Sequence, residues 1–324
     1  MEEALRDGRR NGKNRMEEHL AGETGSAVRD YTPKSAFLEF GSTSIKFYVV
    51  GVSGDQAGRV EKELKFPWDL GYDVFQHSRI SPGTVSRCLG TLRKLQREFP
   101  EIPLETVTAV GTSALREAQN ADVFQRVIWD ELRIQIHVIE GGIEAFLLET
   151  GFRDAVTSYP TGLFDLGGGS LELVEYLSPF STKKTSLPVG AIRLHCQLRH
   201  TRDLFSYIQE GRRIVADTLR QHLVGNIPPY TELTGTGGTV RAIVEIVGKE
   251  VLTIEDVTKT LQREVNGPLW DNLPSHRRKA LLPGIIAIET LLATLEIERI
   301  LYRTASVKRG LMTLMRLLPQ AGAG

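Results

Sequence analysis

Two cysteines are all that 324 residues provide, and Cys88 and Cys196 lie far apart with no CxxC spacing between them. That excludes a disulfide framework, argues against a zinc site, and fits a reducing compartment. An excess of either charge is also missing, since 40 basic side chains face 40 acidic ones. No overall field draws the chain to nucleic acid or to an anionic membrane, so any polyanion must be held by a local patch. Long apolar runs are absent too. No window approaches the roughly 18 uninterrupted apolar residues of a membrane span, and the N-terminus lacks the hydrophobic stretch of a signal peptide. A cytoplasmic chain with no nucleic-acid and no membrane partner is the expectation.

What is present is a soluble globular composition, 41% apolar and 25% charged, long enough for two ordinary domains. Its informative part is glycine placed at strand ends. Leu163-Phe164-Asp165-Leu166-Gly167-Gly168-Gly169-Ser170-Leu171-Glu172-Leu173-Val174 reads as an apolar strand, a glycine turn and a returning strand. Amides of Gly167, Gly168 and Gly169 can curl around a phosphate because no Cβ blocks its approach. A carboxylate at the strand end, Asp165, suits the hard cation that phosphates bring with them. A plain glycine hairpin is the bland alternative.

The same layout opens the fold. Ala36 to Phe40 is a strand, Gly41-Ser42-Thr43-Ser44 a turn, and Ile45 to Val50 the return, with Glu39 standing where Asp165 stands in the later hairpin. Hydroxyls of Ser42, Thr43 and Ser44 make a second phosphate cradle, and two such hairpins suggest an internal duplication. A third anion site is Gly111-Thr112-Ser113 at a strand-to-helix junction. Arg116 follows, either clasping a phosphate or pairing with a neighbouring acid. Gly235-Thr236-Gly237-Gly238-Thr239 repeats that turn in the second half. Between the halves, Glu140-Gly141-Gly142-Ile143-Glu144 begins a helix whose buried face is expected to carry Ile143, Phe146, Leu147 and Thr150. Glu144 is placed either as a general base for water or as plain charge at a helix N-terminus. Residues 68–78 are expected as a loop, and Pro283-Gly284 as the cap of an apolar core helix over 285–301. A homodimer through the far face of that helix stays open.

Taken together these turns resemble the exopolyphosphatase and guanosine pentaphosphate phosphohydrolase (Ppx/GppA) family, of the actin, Hsp70 and sugar kinase superfamily. The motifs are 39–44, 111–118, 139–145, 165–173 and 235–239, with Pro283-Gly284 and Lys308-Arg309-Gly310 as weaker ones. The resemblance implies an α/β fold of two ribonuclease H-like domains, each a mixed five-stranded sheet with flanking helices, around a cleft. Residues 1–34, with apolar residues too sparse to bury, are expected as a mobile tail; on the family pattern 35–140 is the first domain and 141–305 the second, with a helix over 306–318 packing back on the first. The form implied is the short, two-domain one.

The resemblance also implies Mg²⁺- or Mn²⁺-dependent hydrolysis of the terminal phosphoanhydride of inorganic polyphosphate, with guanosine pentaphosphate hydrolysis or a weakened, non-catalytic sensor as alternatives. By motif, Glu144 matches the catalytic glutamate, Asp165 an acid serving metal and water, and Glu39 the other metal acid. Ser42, Thr43, Ser44, Thr112, Ser113, Arg116, Gly167, Gly168, Gly169, Ser170, Gly237, Gly238 and Thr239 match substrate-binding or loop positions. This chain departs from the family at Glu39 for Asp, Ile143 for the first of a Glu pair, Thr43 for Asn and Leu171 for Thr. A basic track for a long polyphosphate is sought at Lys183-Lys184, 199–202, Arg212-Arg213 and 276–279, although such stretches are more often solvated helix or loop faces.

Overall fold

The computed structural model describes residues 34–51, 59–223, 230–267, 275–304 and 307–317. Two mixed sheets carry the chain. β1 (Lys34–Phe40), β2 (Ser44–Gly51), β3 (Val60–Pro67), β4 (Thr108–Gly111) and β5 (Ile136–Val138) form the first, in the order β3-β2-β1-β4-β5. β6 (Thr161–Leu166), β7 (Leu171–Ser178), β8 (Ser181–Leu187), β9 (Glu232–Thr236), β10 (Val251–Thr253) and β11 (Arg299–Tyr302) form the second, in the order β8-β7-β6-β9-β11-β10. In both, an antiparallel meander of three strands continues into parallel neighbours of the meander's first strand. This repeated order makes the two halves ribonuclease H-like lobes. The second sheet has six strands rather than the expected five, because β10 pairs on the outer edge of β11. The tail expected over 1–34 lies outside the described residues up to 33, and Lys34 already belongs to β1.

Period-two alternation divides each central hairpin into two faces. On β1 and β2, Ala36, Leu38, Phe40, Ile45, Phe47 and Val49 enter the first lobe's core. Phe37, Tyr48 and Val50 lie on the other face, where Met312 of α11 (Val307–Leu317) covers them. On β6 and β7, Phe164, Leu166, Leu171 and Leu173 enter the second lobe's core. Leu163, Val174 and Tyr176 face Leu148 and Phe152 of α5 (Gly141–Phe152). The second face of each hairpin therefore carries both a helix-covered apolar end and, nearer the turn, the charged residues of the site.

α5 and α11 meet at glycines. A Cβ on Gly310 would lie 1.9 Å from the Leu147 carbonyl oxygen, and one on Gly151 would lie 2.6 Å from the Gly310 nitrogen. No rotamer change relieves a clash with backbone, so Gly310→Ala is expected to cost about 3 kcal/mol by forcing the helices apart. Thermal or urea unfolding of the variant checks this.

Three expectations about elements fail. Residues 70–77 form α1 (Leu70–His77) instead of a loop, with Leu70, Gly71 and Val74 buried. Pro283 lies inside α10 (Ser275–Leu295), which ends well before 301 and is followed by β11. On α5, Ile143 is 48% and Phe146 40% exposed, while Glu144, Ala145, Leu147 and Leu148 are buried. The helix is apolar on nearly every side, so periodicity alone could not choose its inner face.

Candidate active site

The two hairpins present their turns to each other. Gly41 N–H donates to the Ser44 carbonyl at 3.1 Å, and Gly167 N–H to the Ser170 carbonyl at 2.9 Å, so both turns close the same way. Helix α1 fixes the first: Gly71 N–H donates to the Ser42 carbonyl at 2.8 Å, and Trp68 Nε1–H to the Gly41 carbonyl at 2.7 Å. Helix α6 (Ala191–Leu198) fixes the second, because its first amides donate to the carbonyls of Gly167 and Gly168. The tips touch. A Cβ on Gly168 would come within 2.7 Å of Thr43 Cγ2, and one on Gly169 within 2.4 Å of Ser113 Oγ and 2.7 Å of Ser42 Oγ. Glycine at 168 and 169 is what lets the turns and the 112–113 junction approach this closely. Thr112 and Ser113 are buried at that junction, where α3 (Ser113–Glu117) begins, and Ser44 Oγ is buried with no hydrogen-bond partner among the described residues.

The third turn approaches Asp165 from the side. Gly237 has φ +101°, and a Cβ there would stand 2.8 Å from Asp165 Oδ1. Its glycine is required twice, by conformation and by space. Gly238 opens α8 (Gly238–Val247), while the Thr239 side chain packs where Gly284 of α10 leaves room, behind the turn.

Strand register sets the charges. Glu39 pairs across the ladder with Lys46, and at the equivalent place in the second hairpin Asp165 pairs with Glu172. The first hairpin presents an ion pair and the second two acids. Lys46 Nζ lies 2.6 Å from Glu39 Oε1, and Tyr48 OH donates to Glu39 Oε2 at 3.2 Å. Glu144, buried at the start of α5, accepts from Arg116 Nη1 at 2.9 Å, and Arg116 Nη1 also donates to the Ile139 carbonyl. Of the two readings of Arg116, the structure realises the acid pair. Glu172 accepts from Ser186 Oγ at 2.9 Å.

Burial governs the protonation of this cluster. It raises Glu144 to about 7, against the Arg116 hydrogen bond and charge, with Glu39 and Asp165 adding to the rise. Burial likewise raises Asp165 to about 6, opposed by Lys46 and aided by Glu39. Glu172 is pushed well above the ordinary carboxylate range by burial and by Glu144 and Asp165. Burial works against the Lys46 ammonium, but the adjacent Glu39 outweighs it and holds its pKa above normal. The centre holds protons near neutrality because burial disfavours its carboxylates' charge, with their mutual repulsion adding to it.

A hard cation fits one half of this centre better than the other. Among the described residues no three His, Cys, Asp or Glu side chains stand close enough to share an ion. Mg²⁺ commonly needs only one or two carboxylates, with phosphates and water completing its shell. Asp165 meets that need, being a half-buried carboxylate with no ion pair of its own among the described residues and a raised pKa. Glu39 does not, because Lys46 and Tyr48 already occupy its two oxygens.

Open space adjoins these residues in two places. A cavity of about 350 Å³ is lined by Ser113, Arg116, Gly141, Gly142, Ser170 and Arg193. One of about 910 Å³ is lined by Lys46, Tyr48, Gly237, Gly238, Arg241 and Arg309, among others. The surface track sought in the sequence is mostly spent on ion pairs: Lys183 with Glu175, Lys184 with Glu149, Arg212 with Glu289, Arg213 with Glu210. Side chains at 276–278 lie outside the described residues. Sequence reasoning gave no role to Glu172, Lys46, Ser186 or Arg193. For Glu172 and Lys46 the signal was available, since closing each turn as observed fixes their register opposite Asp165 and Glu39. Nothing in the sequence marked Arg193.

Two lobes of one topology thus bring their glycine turns together beside a cluster of carboxylates. Residues 60–318 match the model of the Ppx/GppA phosphatase family, and the chain belongs to that family. It is 25% identical over 288 residues to a bifunctional 3-dehydroquinate synthase/phosphatase of Fusobacterium nucleatum, covering 79% of this chain and 43% of that protein. It is 25% identical over 306 residues to a guanosine-5'-triphosphate,3'-diphosphate pyrophosphatase of Pseudoalteromonas translucida, covering 88% and 59%. The chain thus spans about half the length of these curated relatives. Among solved structures, an exopolyphosphatase of Cytophaga hutchinsonii superposes with a TM-score of 0.74 at 22% identity, covering 88% of this chain and 98% of that one. The Aquifex aeolicus family member superposes at 0.68 and 19% identity, covering 89% and 99%. No helix among the described residues is long and apolar enough to cross a membrane.

Proposed function

We propose that this chain hydrolyses the terminal phosphoanhydride of inorganic polyphosphate and releases orthophosphate. The observation that carries the reading is Glu144: a buried carboxylate with a pKa of about 7, oriented by Arg116, at the meeting of the two lobes. A base with that pKa is half ionised at neutral pH and can take a proton from an attacking water. Arg116 steers one carboxylate oxygen and, as part of the smaller cavity's wall, also reaches bound phosphate. Ser113, Ser170 and the glycine turns surround the phosphate, and Lys46 adds positive charge on the opposite side. Mg²⁺ or Mn²⁺, held by Asp165, would supply Lewis-acid stabilisation of charge on the phosphate oxygens. The lobes are taken as 35–140 and 141–305, with 306–318 returning to the first.

Guanosine pentaphosphate is the second reading. The larger cavity favours it, since about 910 Å³ beside Lys46 and Tyr48 has room for a nucleoside as well as phosphates. The sensor reading rests on the departures at Glu39 and Ile143, of which Ile143 is exposed on α5. Phosphate release from polyphosphates of defined length, guanosine pentaphosphate and ATP, each with and without Mg²⁺, separates these readings. Turnover of polyphosphate is expected; tight binding of it without release by wild type would leave the sensor.

A further inference from the structure

Arg193 lies outside every motif that points to phosphate, yet it joins more parts of the site than any other side chain described above. It is the third residue of α6, whose N-terminal amides already hold the 167–170 turn. Its Nε–H donates to the Gly169 carbonyl at 2.7 Å, within its own lobe. The rest of the guanidinium crosses to the other lobe. Nη1 donates to Glu117 Oε2 at 2.8 Å, Nη2 donates to Glu117 Oε1, and Nη2 donates to Ser113 Oγ at 3.2 Å. The guanidinium plane also sits 4.3 Å from the ring centre of Phe75 on α1. Ser113 Oγ in turn donates to Glu117 Oε1 at 3.3 Å, so the acid and the hydroxyl are held as a unit.

These contacts form a two-pronged fork with a planar partner, the geometry in which arginine differs most from lysine. The Arg193 side chain is only 12% exposed, whereas Glu117 is 40% exposed. An exposed surface pair contributes little. Here one partner is enclosed and four of its five N–H donors are committed, so the fork defines a distance rather than merely neutralising charge. What it connects is specific: Gly169 belongs to the central turn, while Ser113 and Glu117 flank Arg116, which orients Glu144.

We propose that Arg193 is a positioning residue, an interlobe clasp that brings the 167–170 turn to working distance from the 113–117 segment. It acts through Gly169, Ser113 and Glu117, and so sets the width of the cavity between Ser170 and Arg116. Entry of a bulky polyanion would require the clasp to loosen, and its closure restores the alignment of turn and base. The catalytic consequence rests on the hydrolytic reading above; the geometric one holds for any ligand.

The test uses nitroxide labels at cysteines introduced at Gln96 on α2 (Pro82–Glu98) and Gln221 on α7 (Leu204–His222), both exposed and in different lobes. The native Cys88 and Cys196 are buried and stay unlabelled. Pulsed dipolar spectroscopy of the labelled full chain is expected to give one narrow distance peak. Arg193→Met and, independently, Glu117→Gln are expected to broaden it toward longer distances, and to lower kcat/KM for polyphosphate about 10- to 100-fold. Glu117→Gln changes a half-exposed side chain, so it keeps the test alive if Arg193→Met does not fold. A narrow, unshifted distribution in both variants overturns the clasp, whatever their activity. Broadening with unchanged kcat/KM keeps the clasp and overturns its positioning role. If the distances respond while wild type releases no phosphate, the clasp stands and the hydrolytic reading falls.

Discussion

Glu144→Gln is expected to lower phosphate release about 10³-fold while making the protein more stable at neutral pH. The rate falls because the amide cannot accept a proton, and a positioned base is worth roughly 10²- to 10⁴-fold. The stability gain follows from linkage. Glu144 has a pKa of about 7 in the folded chain against 4.5 when unfolded. Between these values the folded state holds a proton that the unfolded state releases, so stability falls as pH rises through the interval. The shift, which already includes the opposing Arg116 contact, corresponds to about 3 kcal/mol at most. The variant should therefore be up to about 3 kcal/mol more stable above pH 7 and no more stable than wild type near pH 4. Urea denaturation at both pH values checks the sign. The same titration predicts that wild-type kcat/KM rises with pH on an acidic limb centred near 7.

Lys46→Met should produce the second large effect, in the opposite direction for stability. It leaves Glu39 buried with only Tyr48 as partner, and removing one member of such a pair costs about 3 kcal/mol at pH 7. It also unlocks Glu39 for a cation. Mn²⁺ affinity, followed by its electron paramagnetic resonance signal, is expected to rise about tenfold in Lys46→Met. In Glu39→Gln it should stay within about twofold of wild type, and in Asp165→Asn it should fall steeply. Loss of Mn²⁺ affinity in Glu39→Gln would make Glu39 a ligand despite its ion pair.

Much of this molecule was legible from local pattern. The two hairpins could be read because a turn of small residues between alternating runs is set by backbone sterics that sequence displays directly. Helix α2 could be read because Ser81 caps it, accepting from Thr84 N–H at 3.2 Å, and Pro82 follows. Helix α1 could not. It has no side-chain cap and only eight residues, and its position depends on the Gly71 bond to the distant Ser42 carbonyl. The Glu39–Lys46–Tyr48 contact was latent in the period of a strand, but its consequence for a cation depends on both Glu39 oxygens being occupied, which no pattern displays. The Arg193 contacts join residues 76 and 80 positions apart, and no spacing rule reaches that far.

The central claim is that water, activated by Glu144, attacks a terminal phosphoanhydride in this cleft. Single-turnover phosphate release from polyphosphate in ¹⁸O-enriched water tests it most directly. The expected result is one solvent oxygen in each orthophosphate released by wild type, with release lost in Glu144→Gln at equal folded content. Orthophosphate without solvent oxygen, or undiminished labelled release by the variant, would contradict it.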